Sequence, residues 1–423
     1  MKNIIQIPTG SSYIEADTGQ KVRTLTPEDT IATLPLEQVI RQAFENPIGT
    51  QRLKHLAKGK NTVAIVVNDI TRPTPTEEIL SPILDELDRS QINRENITII
   101  IATGAHHPHT PEEIITCVGK KIVERYTVIN HDYSDDSTLS YLGDTGMGMP
   151  VHVNKVYADA SLKILTGLIS PHHVAGFSGG RKNVVPGICG FKTLKMHHSF
   201  PIAPYDVSFG ILEGNSFHEQ AMEAARIAGV DFIFNVILNS KRDIIGAVAG
   251  DLEEAFLEGT KICSRQWEIN IPKKFDVVIT SPGKHPKDIN LHQSQKALSV
   301  AEMVTKKGKY IILVASCPEK TGSFANWMAQ FSSPEEVVDV FKRDGFAKGN
   351  STKAFLLARG ILAHEIYVVS ENLSEKELSR IFLKKADTVE DALEDIRNKE
   401  KSDLEIAFLP SGADIIPIVD QCF

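Results

Sequence analysis

No apolar run in this chain approaches the roughly eighteen residues a membrane-crossing helix requires. The start, Met1-Lys-Asn-Ile-Ile-Gln-Ile-Pro, is too polar for a secretory leader. Both absences predict a cytoplasmic protein with no membrane partner. Cysteine is scarce: Cys117, Cys189, Cys263, Cys317 and Cys422 are odd in number and contain no Cys-x-x-Cys pair. A disulfide framework and a zinc knuckle are thereby disfavoured, and the five read as reduced thiols. Positive charge is in deficit, 46 Lys and Arg against 54 Asp and Glu for a net charge of −8. Such a surface has no general attraction for nucleic acid, so any anionic ligand must be held by local cations. Internal repeats and low-complexity tracts are also missing.

What is present fits two α/β domains with mainly parallel sheets. The 423 residues exceed one ordinary core. Asn61–Asp69, Asn96–Ala102 and Ser161–Gly167 are β-rich apolar runs that each end in a polar loop, and helical spacing follows the first two. In such folds ligands sit beyond the carboxyl ends of the strands. The pattern restarts at Phe275-Asp-Val-Val-Ile-Thr, with further strands at 309–315, 365–370 and 404–410. The expected division is 1–270, carrying the chemistry, and 271–423, adding substrate contacts. The segment to about Gly49 reads as a peripheral layer of short strands and a helix, with Thr24–Asp29 as a cap-like start.

The loops hold the chemistry. In Asn68-Asp-Ile-Thr-Arg-Pro-Thr-Pro-Thr, Arg72 is suited to clamp a carboxylate or phosphate; equally, Pro73 and Pro75 stiffen a turn in which Asp69 pairs Arg72. In Thr103-Gly-Ala-His-His-Pro-His, His106 is the preferred proton carrier, with His107 and His109 expected to be exposed. A metal trio there would need an irregular backbone. The segment Ser170-Pro-His-His-Val-Ala-Gly-Phe-Ser-Gly-Gly-Arg-Lys combines His172 and His173 with a small-residue stretch. Gly176, Ser178, Gly179, Gly180 and Arg181 are candidates for a phosphate cradle. Neither the Walker A spacing nor Gly-x-Gly-x-x-Gly is present, which disfavours an ATPase or a dinucleotide dehydrogenase. In the second half, Gln293 and Lys296 are three apart and share a helix face. Trp327 reads as packing.

Taken together, Asp-Ile-Thr-Arg-Pro at 69–73, Thr-Gly-x-His at 103–106, the 170–182 segment, His197-His198 and Pro-Lys-Asp-Ile-Asn-Leu-x-Gln at 286–293 resemble the nickel-pincer lactate racemase family over most of the chain. The resemblance implies a racemase or epimerase inverting C2 of a 2-hydroxy acid. It also implies a nickel-pincer nucleotide, a nickel pyridinium mononucleotide with sulfur donors, joined through a thioamide to Lys182. By the same resemblance His198 binds nickel, His106 and His172 exchange the hydroxyl proton, and Asp69, Arg72, His292, Gln293 and Lys296 meet the substrate, which puts the active-site cleft between the two domains. The glycine stretch would receive the cofactor phosphate, with His173 and His197 as supporting residues. Cofactor-building enzymes are implied as transient partners, and a homo-oligomer is compatible.

Two departures from lactate-specific members stand out. His292 occupies the place of a tyrosine before the glutamine, and the stretch Gly349–Arg359 lacks the tryptophan such members place near the substrate. An acid larger or more polar than lactate, such as an aldonate, is therefore expected. The competing readings are a zinc-type hydrolase or lyase using the same histidines, and a noncatalytic protein binding the cofactor or a hydroxy acid.

Overall fold

A computed structural model describes residues 3–28, 30, 34–203, 205–347, 351–400 and 402–419. Its framework is a pair of six-stranded sheets. In the first, the strands run in the spatial order Ile244–Gly250, Phe232–Leu238, Leu162–Leu168, Val63–Asn68, Ile97–Ala102, Thr127–Asn130. Only Ile244–Gly250 is antiparallel to its neighbour.

The central strand Val63–Asn68 is β-branched along most of its length, and its first five residues are buried. It pairs on both sides, Val66 lying opposite Ile100 and Leu165, so an unbroken apolar run is required rather than an alternating one. From this strand the chain builds outward first to one side and later to the other. The reversal opens a crevice at the carboxyl ends of Val63–Asn68 and Leu162–Leu168. The loops starting at Asp69, Thr103 and Ile169 all leave the sheet on that edge.

The second sheet is wholly parallel, in the order Lys384–Ala386, Glu365–Val369, Thr305–Val314, Phe275–Thr280, Ile406–Leu409, Arg23–Thr24. Its last strand comes from the start of the chain. Ahead of it, the hairpin of Ile4–Thr9 and Ser12–Asp17 buries Ile7 and Ala16 in the core of the second sheet. Ser281 Oγ donates to the Pro8 carbonyl at 2.6 Å, and the Gly10 N–H donates to Asp288 at 2.5 Å. The opening segment is thus part of the second unit, and the strand Glu268–Ile271 pairs with Ile416–Val419 near the other end. A single cut at residue 270 does not describe this packing.

The expected cap at 24–29 is also revised. Thr24 ends a strand, the helix begins at Leu36 after Pro35, and Asp29 lies outside the described residues. Arg359, on the helix Ser351–Ala363, ties the two units together. It pairs with Glu302 of the helix Leu291–Val304, reaches Asp206 at 3.3 Å and donates to the Tyr205 carbonyl at 3.1 Å. Among the described residues no helix is long and apolar enough to cross a membrane.

Candidate active site

The crevice between the units has an empty volume of about 1260 Å³, its open mouth included. Asp69, Arg72, His106, His172, His173, Lys182 and His198 line it from the first unit; His292, Gln293, Lys296 and Lys353 line it from the second.

Asp69 follows the central strand and is 4 % exposed. Its carboxylate accepts from Thr71 Oγ1 at 2.7 Å on one oxygen, and the other lies 2.5 Å from His106 Nδ1. Burial would raise its pKa, but the hydrogen bond and charge of His106, with Arg72 nearby, hold it at about 2. An ionised Asp69 keeps the proton of His106 on Nδ1 and leaves the Nε2 lone pair free to accept another. Gly104 makes this loop possible: its φ is +53°, and an added Cβ would come 3.3 Å from the Pro186 carbonyl oxygen. Asp69 is thus engaged by His106, while Arg72 donates to Thr71 Oγ1 at 3.1 Å and keeps its other donors.

His172 is held in the opposite sense. The backbone N–H groups of Val174 and Ala175 both donate to its Nδ1, each at 3.2 Å, which puts the ring proton on Nε2. Burial and the adjacent Lys182 push its pKa well down, disfavouring a second proton. His106 is set as a proton acceptor and His172 as a proton donor.

His173 also faces the crevice, with Nδ1 3.3 Å from Ser299 Oγ and Nε2 3.4 Å from Lys353 Nζ. Within the adjacent pair His197-His198 the split is sharper. His197 is fully buried, donates through Nε2 to the Phe217 carbonyl at 2.8 Å and packs on the Phe217 ring. His198 donates through Nδ1 to the Leu194 carbonyl at 3.2 Å, which leaves its Nε2 lone pair available in the crevice. Burial, then Lys182, lower its pKa to about 4, so it is a neutral imidazole at neutral pH, the form that binds metals.

Lys182 sits in a short 3-10 turn, Gly180–Asn183, and its pKa is driven well down by burial and then by Arg72, Arg181, Lys296 and Lys353. A deprotonated amine is nucleophilic. Among the described residues Arg72, Lys182, Lys296 and Lys353 form no ion pair, although all four line the crevice. Lys296, like Gln293, lies on the helix Leu291–Val304, and burial lowers its pKa to about 7. Gly322 makes room for His292, since a Cβ there would approach the His292 Cβ to 3.0 Å.

The glycine stretch behaves differently from a phosphate cradle. Ser178 and Gly179 reach the crevice, but Gly176, Gly180 and Arg181 do not line it. The Gly180 N–H donates to Asn235 Oδ1 at 2.8 Å, and Ser178 Oγ donates to the Leu168 carbonyl at 2.7 Å. Arg181 is fully buried, donating to the Ala175 carbonyl at 2.7 Å with its guanidinium 4.3 Å from the centre of the Phe256 ring. Gly176 is required by close packing: its φ is +73°, and a Cβ would meet the Ile211 carbonyl oxygen at 2.3 Å. Direct phosphate contact from Arg181 does not fit this placement.

His107 is exposed as expected, but His109 is 5 % exposed and its Nε2 accepts from the Ile70 N–H at 2.9 Å. Among the described residues His107, His109 and Glu113 form the one cluster with metal-like spacing, away from the crevice lining. The crevice histidines do not converge as a zinc-type trio. Lys353 belongs to no sequence motif; its only signal is a lysine on a mostly apolar helix that also carries Arg359. Gly349 and Asn350, just before it, lie outside the described residues.

Residues 9–207 match the lactate racemase N-terminal domain family, and residues 270–417 match the lactate racemase C-terminal domain family. The chain is 33 % identical over 386 residues to a lactate racemase of Thermoanaerobacterium thermosaccharolyticum, covering 90 % of each. It is 34 % identical over 388 residues to a lactate racemase of Lactiplantibacillus plantarum, again 90 % of each. The structure of the T. thermosaccharolyticum lactate racemase apoprotein superposes with a TM-score of 0.90 at 32 % identity, covering 98 % of this chain and 100 % of that one. A Thermotoga maritima protein gives 0.65 at 16 % identity, over 92 % and 99 %, a likeness of fold alone.

Proposed function

This chain belongs to the lactate racemase family of isomerases, and from that premise we propose that it inverts C2 of a 2-hydroxy acid more polar than lactate. The paired imidazoles support this most directly: His106 with a free Nε2 lone pair and His172 with an Nε2 proton line one crevice with Lys182.

The donor set fits the family's nickel-pincer nucleotide. Lys182 offers a low-pKa amine with no hydrogen-bond partner among the described residues, and His198 offers an open Nε2. Lys182 would carry the thioamide link and His198 would be the protein ligand to nickel, an ion suited to sulfur donors and an imidazole. When bound, the pyridinium ring supplies a hydride acceptor for the hydrogen on C2. Ser178 and Gly179 remain the phosphate candidates of the glycine stretch. Enzymes that build and install the group are expected as transient partners.

The chain's own residues do the rest. Arg72 and Lys296 bind the substrate carboxylate, and Gln293 orients it from the same helix face as Lys296. His106 Nε2 takes the hydroxyl proton of one enantiomer while Asp69 stabilises the resulting imidazolium. His106 gives that proton back when hydride returns, while the Nε2–H of His172 donates a hydrogen bond that holds the oxygen presented on the other face. His292 in place of the tyrosine of lactate-specific relatives, and a helix Ser351–Ala363 without their tryptophan, favour a larger polar acid, an aldonate being one example.

The test is coexpression with the cofactor-building enzymes. Intact mass should show an adduct on the wild-type chain that is lost in Lys182→Ala together with inversion of 2-hydroxy acids. An adduct that survives the substitution, or inversion without one, rules the reading out.

A further inference from the structure

The crevice holds more basic side chains than a monocarboxylate calls for. Arg72, Lys182, Lys296 and Lys353 face it, and its one lining carboxylate, Asp69, is already engaged by His106 and Thr71. If Lys182 becomes an amide-like link it is no longer basic, and Arg72 and Lys296 meet the carboxylate next to C2. Lys353 is left over.

Its surroundings fix Lys353 without supplying a carboxylate partner among the described residues. Its Nζ donates to His173 Nε2 at 3.4 Å, His173 Nδ1 donates to Ser299 Oγ at 3.3 Å, and Ser299 Oγ donates to the Gln295 carbonyl at 3.2 Å. Every hydrogen bond in this relay runs away from the crevice and ends on a neutral carbonyl. The amine is thus held in place, and in its protonated form it has two N–H donors to spare. A buried cation without a counter-ion is costly, so burial favours the neutral amine until an anion arriving with the ligand stabilises the protonated one. Lys296 and Arg72, the two substrate-side cations, depress its pKa after burial does. His292 lines the same crevice and is kept neutral by burial and by Lys353, which leaves it able to donate a hydrogen bond.

We propose that Lys353, with His292, forms a subsite for a second carboxylate, so that the acid inverted is a 2-hydroxydicarboxylate: one carboxylate on Arg72 and Lys296, the distal one on Lys353. Short members of this class and sugar diacids share the same recognition chemistry. This rests on the racemase reading above and narrows its substrate class.

The experiment compares malate (2-hydroxybutanedioate) with lactate on the full chain, wild type, Lys353→Gln and Lys353→Arg. Binding is measured by calorimetry, inversion by chiral chromatography on matured enzyme, and the Lys182 adduct by intact mass. Wild type should favour malate at least tenfold in affinity and in kcat/KM. Lys353→Gln should reduce that preference at least tenfold, chiefly through KM, while Lys353→Arg restores most of it. Equal or stronger handling of lactate by wild type, or an unchanged preference in Lys353→Gln, overturns the subsite. So does loss of the Lys182 adduct in Lys353→Gln with the malate preference intact, because the lysine would then serve the cofactor phosphate. Preferential malate binding that depends on Lys353, in a preparation that carries the adduct but inverts nothing, upholds the subsite and defeats the racemase reading alone.

Discussion

His106 Nδ1 lies 2.5 Å from an oxygen of Asp69, whose carboxylate is buried at the carboxyl end of the central strand. This contact decides which nitrogen of His106 faces the crevice with a lone pair. Asp69→Asn replaces a fixed acceptor by a group that can present either end to the ring. With the family's proton exchange assigned to His106, kcat for inversion should fall by about 10²-fold in Asp69→Asn, and by up to about 10⁴-fold in His106→Asn. Steady-state kinetics on matured enzyme with equal cofactor loading measures both.

The same carboxylate shapes acid stability. Its pKa is about 2 in the folded chain against an ordinary value of 3.8, a difference worth about 2 kcal/mol. Because the folded pKa is depressed, this stabilisation is complete above pH ~4 and is lost as pH falls through about 2. Urea unfolding of wild type and Asp69→Asn should therefore converge by about 2 kcal/mol as pH is lowered across that window.

The crevice lysines should be distinguishable from surface lysines without any cofactor. Burial lowers Lys296 to about 7, and Lys182 and Lys353 are driven well below the usual lysine value by burial and by their cationic neighbours. In competitive acetylation at pH 7, peptide mapping should find these three modified well ahead of exposed lysines such as Lys192. Arg72→Met should raise the pKa of all three, since its guanidinium disfavours their protonation.

Arg359 tests how the two units are held. It is buried between Glu302 and the Tyr205–Asp206 segment. Arg359→Met strands a buried carboxylate and should cost about 3–5 kcal/mol, with Arg359→Met/Glu302→Gln recovering a large part. Thermal or urea unfolding reads both variants.

The three loops that line the crevice are legible in the sequence because each follows a β-branched run ending abruptly in polar residues, a local signal that survives without an alignment. It also placed Gln293 and Lys296 on one helix face, since helical spacing is local. Long-range pairing left no such trace. Nothing in Arg23–Thr24 says that it joins a sheet built from residues 275–409, and the antiparallel partner strands Phe232–Leu238 and Ile244–Gly250 carry no chemistry to mark them. The glycine stretch misled for a physical reason: glycine serves both anion cradles and tight backbone packing, and Gly176 beneath the Ile211 carbonyl is the latter. Lys353 was missed because a single lysine acquires meaning only from what surrounds it.

Transfer of the C2 hydrogen as hydride, between faces of one bound substrate, separates this account from racemisation by proton abstraction. The decisive measurement supplies matured enzyme with enantiopure malate carrying deuterium at C2, in ordinary water, and follows configuration and label together by chiral separation and mass spectrometry. Inverted product with the deuterium retained is predicted, and lost in Lys182→Ala. Inverted product with the label washed out to solvent would contradict it.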